Sequence, residues 1–455
     1  MRLQDIIQSQ RDFFYTGETK KISFRKEKLL QLSQAINDYE ERIYRALYED
    51  LNKSEYESYL TELSLVKEEI QKVLKNLDKW VSPNKKKKSL FTAFSGSYTM
   101  YEPYGVVLII SPWNYPFLLT LLPLVGAMAA GNCSMIKLSK GSKQVSAVIR
   151  DIIRETFDSH YINVIDDQVS NDSILSEKYD YIFFTGSNRV GKIVMRYASD
   201  HLTPISLELG GKSPCIVDKS ANIKESVRKI LWGKSINAGQ TCIAPDYVLV
   251  DELIKDEFTQ EMKKQLEENY RGFELMEDYP KIINLHHYIR LCNILDKEKN
   301  VLGGGRREST LKIAPAVIPD ASFQSEVMRD EIFGPILPII GYYRLDALLE
   351  ELKKKPKPLA CYIFSKDQNM INQVNREFSY GGGCVNDCLL HIANSYLPFG
   401  GVGNSGMGAY HGYYSFKTFS HEKAILVSNN NLGNYFITRP FSKEKLNKLR
   451  KWIKR

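Results

Sequence analysis

Cys242 has the setting best suited to covalent chemistry in this 455-residue chain. It ends the small polar run Gly239-Gln-Thr-Cys242, which reads as a flexible segment, whereas Cys133, Cys215, Cys292, Cys361, Cys384 and Cys388 have more apolar flanks. A nucleophilic thiol needs access and help to ionise. The same four residues suit a buried inert thiol equally well. Glu208, in Leu207-Glu-Leu-Gly-Gly-Lys212, is a candidate general base. Burial between leucines would raise its pKa towards the working range, and the glycines allow close approach of a ligand. A strand-end carboxylate facing water is the alternative. Asn114, in Ser111-Pro-Trp-Asn-Tyr-Pro116, offers an amide donor on a loop stiffened by two prolines. Rigid donors are what an oxyanion needs, although such sequences also make ordinary turns.

A fourth segment suits an anion. Phe184-Thr-Gly186-Ser-Asn-Arg-Val-Gly191 follows an apolar run and reads as strand, glycine turn and helix start. Free amides at a helix start can cradle a phosphate. The glycines are five apart, so the common dinucleotide fingerprint is absent and a plain turn fits as well. Glu331-Ile-Phe-Gly-Pro335 and the glycine-rich run Pro398 to Gly408 are tight turns or pocket walls.

The elements that must hold these residues follow from periodicity. Leu29, Leu32, Ile36, Tyr39, Ile43 and Leu47 recur three to four apart, as do Leu63, Val66, Ile70, Val73, Leu74 and Leu77, so two helical stretches are expected. From Gly105 the pattern alternates: strand to Ile110, helix Phe117 to Ala130, strand Cys133 to Leu138, helix Gln144 to Phe157. Strands follow at Tyr161 to Ile165 and Tyr179 to Phe184, then a helix at Val190 to Tyr197. Such alternation predicts a parallel sheet covered on both faces. Ser213 to about Tyr343 repeats the rhythm as a second α/β unit.

Bulk properties exclude several classes. The length implies two or three domains, and 43% hydrophobic with 25% charged residues fits a folded protein. The odd, irregularly spaced cysteines give no zinc pattern and suggest a reducing, cytoplasmic setting. No signal peptide is expected at the start, and prolines interrupt the most apolar stretch, Gly105 to Gly131, so no membrane span is expected there. Of the net charge of +8, the segment Arg439 to Arg455 holds +7, with eight basic residues against Glu444. The body is near neutral, which removes the main support for nucleic-acid binding. Leu446, Leu449 and Ile453 share a face beside Trp452, so the tail reads as a basic amphipathic helix. It is either a solvated end or a peripheral membrane contact. Lys85 to Lys88, in the segment Pro83 to Ser89, read as a solvated loop.

Taken together and in order, the motifs resemble the aldehyde dehydrogenase superfamily over about Ser23 to Lys423. They are Pro-Trp-Asn, Lys-x-Ser, Phe-Thr-Gly-Ser, Glu-Leu-Gly-Gly-Lys, Gly-Gln-x-Cys, Glu-Ile-Phe-Gly-Pro and Pro-Phe-Gly-Gly. Tyr410 to Phe416 and Phe419-Ser-His421 look like the shorter, class 3-like branch that includes fatty aldehyde dehydrogenases. The resemblance implies an α/β fold of two doubly wound parallel-sheet domains with a small bridging and oligomerisation arm. It places a dinucleotide domain in residues 1–80 and 104–208, a catalytic domain in 209–395, the arm in 81–103 and 396–430, and the basic tail in 439–455. It implies NAD- or NADP-dependent oxidation of an aldehyde and a homodimer.

By the same resemblance Cys242 attacks the aldehyde, Asn114 and the Cys242 amide hold the oxyanion, and Glu208 activates water. Gly186, Ser187, Val190 and Gly191 would sit by the pyrophosphate, Lys137 and Lys140 by the adenosine ribose, and Trp113, Glu331 and Phe333 by the nicotinamide end. No metal is implied. Where the family commonly reads Lys-Pro-Ser-Glu, this chain has Lys137-Leu-Ser-Lys140, which opens a place for NADP. Trp113, Tyr115 and Leu397 to Phe399 suggest an apolar entrance for aliphatic or aromatic aldehydes. A different thiol acyl-transfer enzyme and a non-catalytic relative are the competing readings. The first has no histidine near Cys242 in sequence, and the second would not need Cys242, Glu208 and Asn114 intact.

Overall fold

The runs rich in valine and isoleucine form strands buried along both faces, the pattern of a parallel sheet flanked by helices. The computed structural model describes residues 2–88, 92, 95–273, 276–428 and 439–453. Of the segments set out above, 89–91, 93–94, 274–275, 429–430 and 454–455 lie outside the described residues, as does the Trp452 side chain. In chain order the strands are β1 (Asn84–Lys85), β2 (Ser95–Pro103), β3 (Val106–Ile110), β4 (Cys133–Lys137), β5 (Ile162–Val164), β6 (Tyr181–Gly186), β7 (Ile205–Leu209), β8 (Pro214–Val217), β9 (Tyr247–Asp251), β10 (Leu302–Gly303), β11 (Arg306–Arg307), β12 (Lys312–Ile313), β13 (Ala316–Ile318), β14 (Ile336–Tyr342), β15 (Ala360–Phe364), β16 (Gly382–Val385), β17 (Gly406–Met407) and β18 (Ser420–Ser428).

The first sheet has the order β17-β7-β6-β3-β4-β5, parallel except for β17. The chain builds outwards from β3 to β5 and then returns to the other side of β3 with β6. The strand order therefore reverses between β3 and β6, where ligands bind in open α/β sheets. The second sheet has the order β10-β13-β14-β9-β8-β15-β16, parallel except for β10. It reaches Val385, past the Tyr343 limit read from sequence rhythm. A third sheet, β1-β2-β18, is antiparallel, and β2 pairs along its whole length with β18. β11 and β12 make a short ribbon.

Local differences have local causes. The helical series through Tyr39 divides into Ile22–Asp38 and Glu40–Leu51, because Tyr39 leaves helical geometry at φ −99° and ψ 1°. Asn84 and Lys85, expected in a loop, pair with Thr99 and Tyr98 while staying exposed. Residues 396–428 divide between two places. β17 pairs with β7 and the helix Tyr413–Thr418 packs on the helix Leu118–Ala130, whereas β18 joins β2. Leu118–Ala130 is buried all round. Its amino end is closed by Glu62, whose Oε2 accepts from the amides of Phe117 and Leu118 at 2.9 and 3.1 Å. A carboxylate there suits the helix dipole. Its charge is balanced by Lys53 at 2.6 Å, both side chains being fully buried.

Candidate active site

Three neighbouring parallel strands, β3, β6 and β7, deliver the loop Ser111–Tyr115, Gly186 and Glu208-Leu209-Gly210 to one edge of the first sheet. The second sheet faces that edge with the loops that precede its strands. Cys242 comes just before β9 and Glu331 just before β14. Between them lies a cavity of about 1000 Å³ lined by both sets. Cys242, Glu208, Asn114, Trp113, Gly186, Ser187, Val190, Glu331 and Phe333 all line it. Of these residues, those up to 220 positions apart in sequence (Trp113 to Phe333) are thus brought together by two sheets.

Three of the residues read from sequence do not line it. Gly191 faces the sheet instead: a Cβ there would lie 2.8 Å from Leu209 Cδ2, so its small size serves helix-on-strand packing. Lys137 ends β4 with its Nζ donating to the Leu138 carbonyl at 2.8 Å, and Lys140 is exposed on the following loop. Both stay at the same sheet edge, since the Ser111 amide donates to the Lys137 carbonyl at 3.1 Å. Leu397, expected at the entrance, is exposed and outside the lining, while Tyr115 and Phe399 are in it.

The segment around Cys242 is fixed rather than flexible. The Gln240 side chain donates to the Asn237 and Lys281 carbonyls, each at 3.0 Å, and accepts from the Ile283 amide at 3.0 Å. Tyr115 Oη and Thr241 Oγ1 share a hydrogen bond of 2.6 Å. Asn114 Nδ2 donates to the Gln240 carbonyl at 3.1 Å. An amide carries two hydrogens, so this bond commits one and leaves a second for a ligand. Cys242 keeps partial exposure, and the space it opens on is the cavity. Burial pushes its thiol up to about 12, with Glu331 and Glu208 adding to the shift. Glu208 is 3% exposed, and neither of its oxygens has a hydrogen-bond partner among the described residues. Burial holds its carboxyl well above the usual carboxylate range. Glu331 is pushed up to about 8, first by burial and then by Asp246, while the Gly211 amide, Lys212 and Lys234 pull the other way.

The helix Asn188–Asp200 starts at this cavity. Its N-cap Ser187 makes no side-chain cap bond and no acidic residue lies in its first turn, so the amino-terminal N–H groups are open to an anion. Arg189, in that turn, also lines the cavity. Trp113 and Phe333 meet edge to face at 5.4 Å, an apolar wall suited to a flat ring. Anion cradle, flat-ring wall and adjacent carboxylate together fit a dinucleotide. Sequence reading missed several lining groups: Leu60, Leu65, Leu118, Trp232, His287 and Arg290. Leu60 lies in a π-helical turn, Tyr59–Leu63, that helical periodicity does not reveal. Arg290 fixes the loop after Glu331 by donating to the Ile332 carbonyl at 2.7 Å. Burial lowers His287 to about 4, so it is neutral beside Trp113.

This chain belongs to the aldehyde dehydrogenase family, whose model matches residues 2–425. It is 47% identical over 424 residues to 4,4'-diaponeurosporen-aldehyde dehydrogenase of Staphylococcus aureus, covering 92% of each. It is 43% identical over 427 residues to the dimeric NADP-preferring aldehyde dehydrogenase of Mus musculus, covering 93% of this chain and 94% of that one. Among solved structures, the substrate-bound state of Staphylococcus aureus AldH superposes with a TM-score of 0.96 at 44% identity, covering all of both chains.

Proposed function

We propose that this chain oxidises an apolar aldehyde to the carboxylic acid, with NAD or NADP as hydride acceptor and Cys242 as the nucleophile. The observation that carries the reading is the convergence of Cys242, the unpartnered Glu208 carboxyl and Asn114 on one cavity beside an uncapped helix start. Membership of the family supports the reaction, and the Mus musculus relative's name supports NADP as an alternative to NAD.

In the free protein burial disfavours the charged form of both thiol and carboxyl, and a cation placed beside them works against that preference. The Cys242 thiolate adds to the carbonyl carbon. The carbonyl oxygen takes up the negative charge and is held by Asn114 Nδ2 and the Cys242 backbone N–H. When bound, the dinucleotide supplies the acceptor for the hydride that leaves this carbon. The C=O bond re-forms and a thioester remains on Cys242. Glu208 takes a proton from water, the hydroxide adds to the thioester, the C–S bond breaks, and the acid departs with the thiolate regenerated. Trp113, Glu331 and Phe333 would hold the nicotinamide end, Gly186, Ser187 and Val190 the pyrophosphate, and Lys137 and Lys140 the adenosine ribose. The first sheet is then the dinucleotide domain, the second the catalytic domain, and β2 with β18 the arm of a homodimer. Leu60, Leu65, Leu118 and Trp232 favour aliphatic aldehydes of medium or long chain, or aromatic ones. We place the enzyme in the cytoplasm.

The test follows reduced cofactor with aldehydes of increasing chain length, in the parent and in Cys242→Ala. The parent should turn over, with efficiency rising with chain length. Cys242→Ala should bind cofactor nearly as well and not turn over. Full oxidation by that variant overturns the assignment.

A further inference from the structure

Immediately before Gly239-Gln240-Thr241-Cys242, the backbone does something unusual. Asn237 and Ala238 both lie in the left-handed region, at φ 50°, and Gly239 follows at φ 69°. Residues with a side chain adopt this region only at a cost, because the Cβ crowds the carbonyl oxygen that follows it. Three consecutive left-handed residues persist only where other contacts hold them. Glycine suits the third position, where a Cβ would fall 2.4 Å from the Gly334 carbonyl.

Asn237 supplies the contacts. It is fully buried, and its Nδ2 donates to the Asn114 carbonyl at 2.8 Å and to the Gln240 carbonyl at 3.1 Å. The same Gln240 carbonyl accepts from Asn114 Nδ2 at 3.1 Å. One side-chain amide therefore ties the backbone that carries the oxyanion donor to the backbone that carries the thiol. Asn237 Oδ1 has no partner among the described residues, so the residue is kept for its two N–H groups. Its own backbone N–H donates to Glu57 Oε1 at 2.7 Å, across 180 residues of sequence. Glu57 belongs to the short helix Glu55–Ser58, which is capped by Ser54 and runs into the π-helical turn lining the cavity.

We propose that Asn237 is a positioning residue that sets the distance between Asn114 and Cys242, with Glu57 as the acceptor that fixes its backbone. This rests on the reading of Cys242 as nucleophile. Ionised or protonated, Glu57 keeps an oxygen to accept the Asn237 N–H, so the device needs an acceptor rather than a charge. Displacing a reacting pair by about 1 Å costs on the order of 100-fold in rate.

The experiment uses the full-length enzyme with cofactor and compares parent, Asn237→Gly, Asn237→Asp, Glu57→Gln and Glu57→Leu. Glycine keeps the left-handed backbone and removes only the side-chain ties. Aspartate keeps the shape and cannot donate. Both should lose about 100-fold in kcat with the cofactor Kd unchanged, and the burst of reduced cofactor should slow by the same factor. Alkylation of Cys242 by iodoacetamide should slow as well. Glu57→Gln should retain near-parental kcat, and Glu57→Leu should lose it. Parental kcat and burst rate in either Asn237 variant overturn the proposal, as does equal kcat in the two Glu57 variants. If an Asn237 variant does not accumulate as folded protein, the Glu57 pair decides. Activity that survives Cys242→Ala would sink the underlying reading instead, so the two failures are told apart.

Discussion

Among the described residues neither buried oxygen of Glu208 has a partner, an arrangement that is costly unless the group stays neutral or has a task. Its raised pKa sets the sign of a pH effect. The base form must be ionised, and its fraction grows as pH rises towards the raised pKa, so hydrolysis of the thioester should go on speeding up with pH above the usual carboxylate range. In Glu208→Gln, stopped-flow absorbance should show a burst of reduced cofactor near one per active site, then a stall, and the pH dependence of the residual rate should flatten. A variant with neither burst nor turnover would reassign Glu208 to thiol activation or to structure. Lys140 is the second residue with a sharp expectation. It is exposed beyond β4, where a 2′-phosphate on the adenosine ribose would make a charge-assisted contact. Lys140→Glu should lower kcat/KM for NADP relative to NAD by several-fold, since an exposed ion pair contributes only about 0.2–1 kcal/mol and like charge reverses it. An unchanged ratio leaves Lys140 without a role in selection.

At the scale of elements, the end of β7 shows how glycine lets two domains share a site. A Cβ on Gly210 would lie 2.1 Å from Glu331 Oε2, the flexible tip of a side chain from the loop before β14. Gly210→Ala should therefore fold, because a side-chain end can move, but it should displace the carboxylate. The expected result is a rise of about tenfold in KM for the cofactor with little change in KM for the aldehyde. A change confined to the aldehyde KM would remove Glu331 from the cofactor. Sequence reading named no strand at Ile205–Leu209 and gave the Gly-Gly that follows a ligand to approach. The close neighbour of Gly210 is a partner 121 residues later, Glu331, which no local pattern contains.

For the whole molecule, charge is the feature that divides the chain. The helix Lys443–Ile453 carries Leu446 and Ile453 exposed among basic residues, with Lys448 paired to Glu444 at 2.7 Å. Among the described residues, no helix is long and apolar enough to cross a membrane. A basic helix can still lie on an anionic surface, at roughly 1 kcal/mol per residue near the headgroups. Co-sedimentation with vesicles containing anionic lipid decides between the two readings of the tail: binding at low salt, release at high salt and loss of binding in a chain ending at Thr438 would assign it to an anionic surface. If both stay in the supernatant, the tail is a solvated end and the aldehyde reaches the cavity from solution.

The sequence by itself determined the alternation of helices and strands, the ordered motifs and, through them, the family. These are local properties, written in periodicity and in short runs such as Gly239 to Cys242 and Leu207 to Lys212. Of the twelve catalytic and cofactor residues read from it, nine line the cavity. Tertiary structure decided the rest. It turned a segment that reads as flexible into one pinned by Gln240 and Asn237, packed Gly191 against Leu209, and split residues 396–428 between two sheets. It also supplied the burial that raises the Cys242 thiol and holds the Glu208 carboxyl above its usual range, the latter an effect the flanking leucines only suggested. The physical reason is the same in each case. Hydrogen-bond partners, close approaches and desolvation depend on atoms from distant parts of the chain, and only the packed fold puts those atoms within a few ångströms of one another.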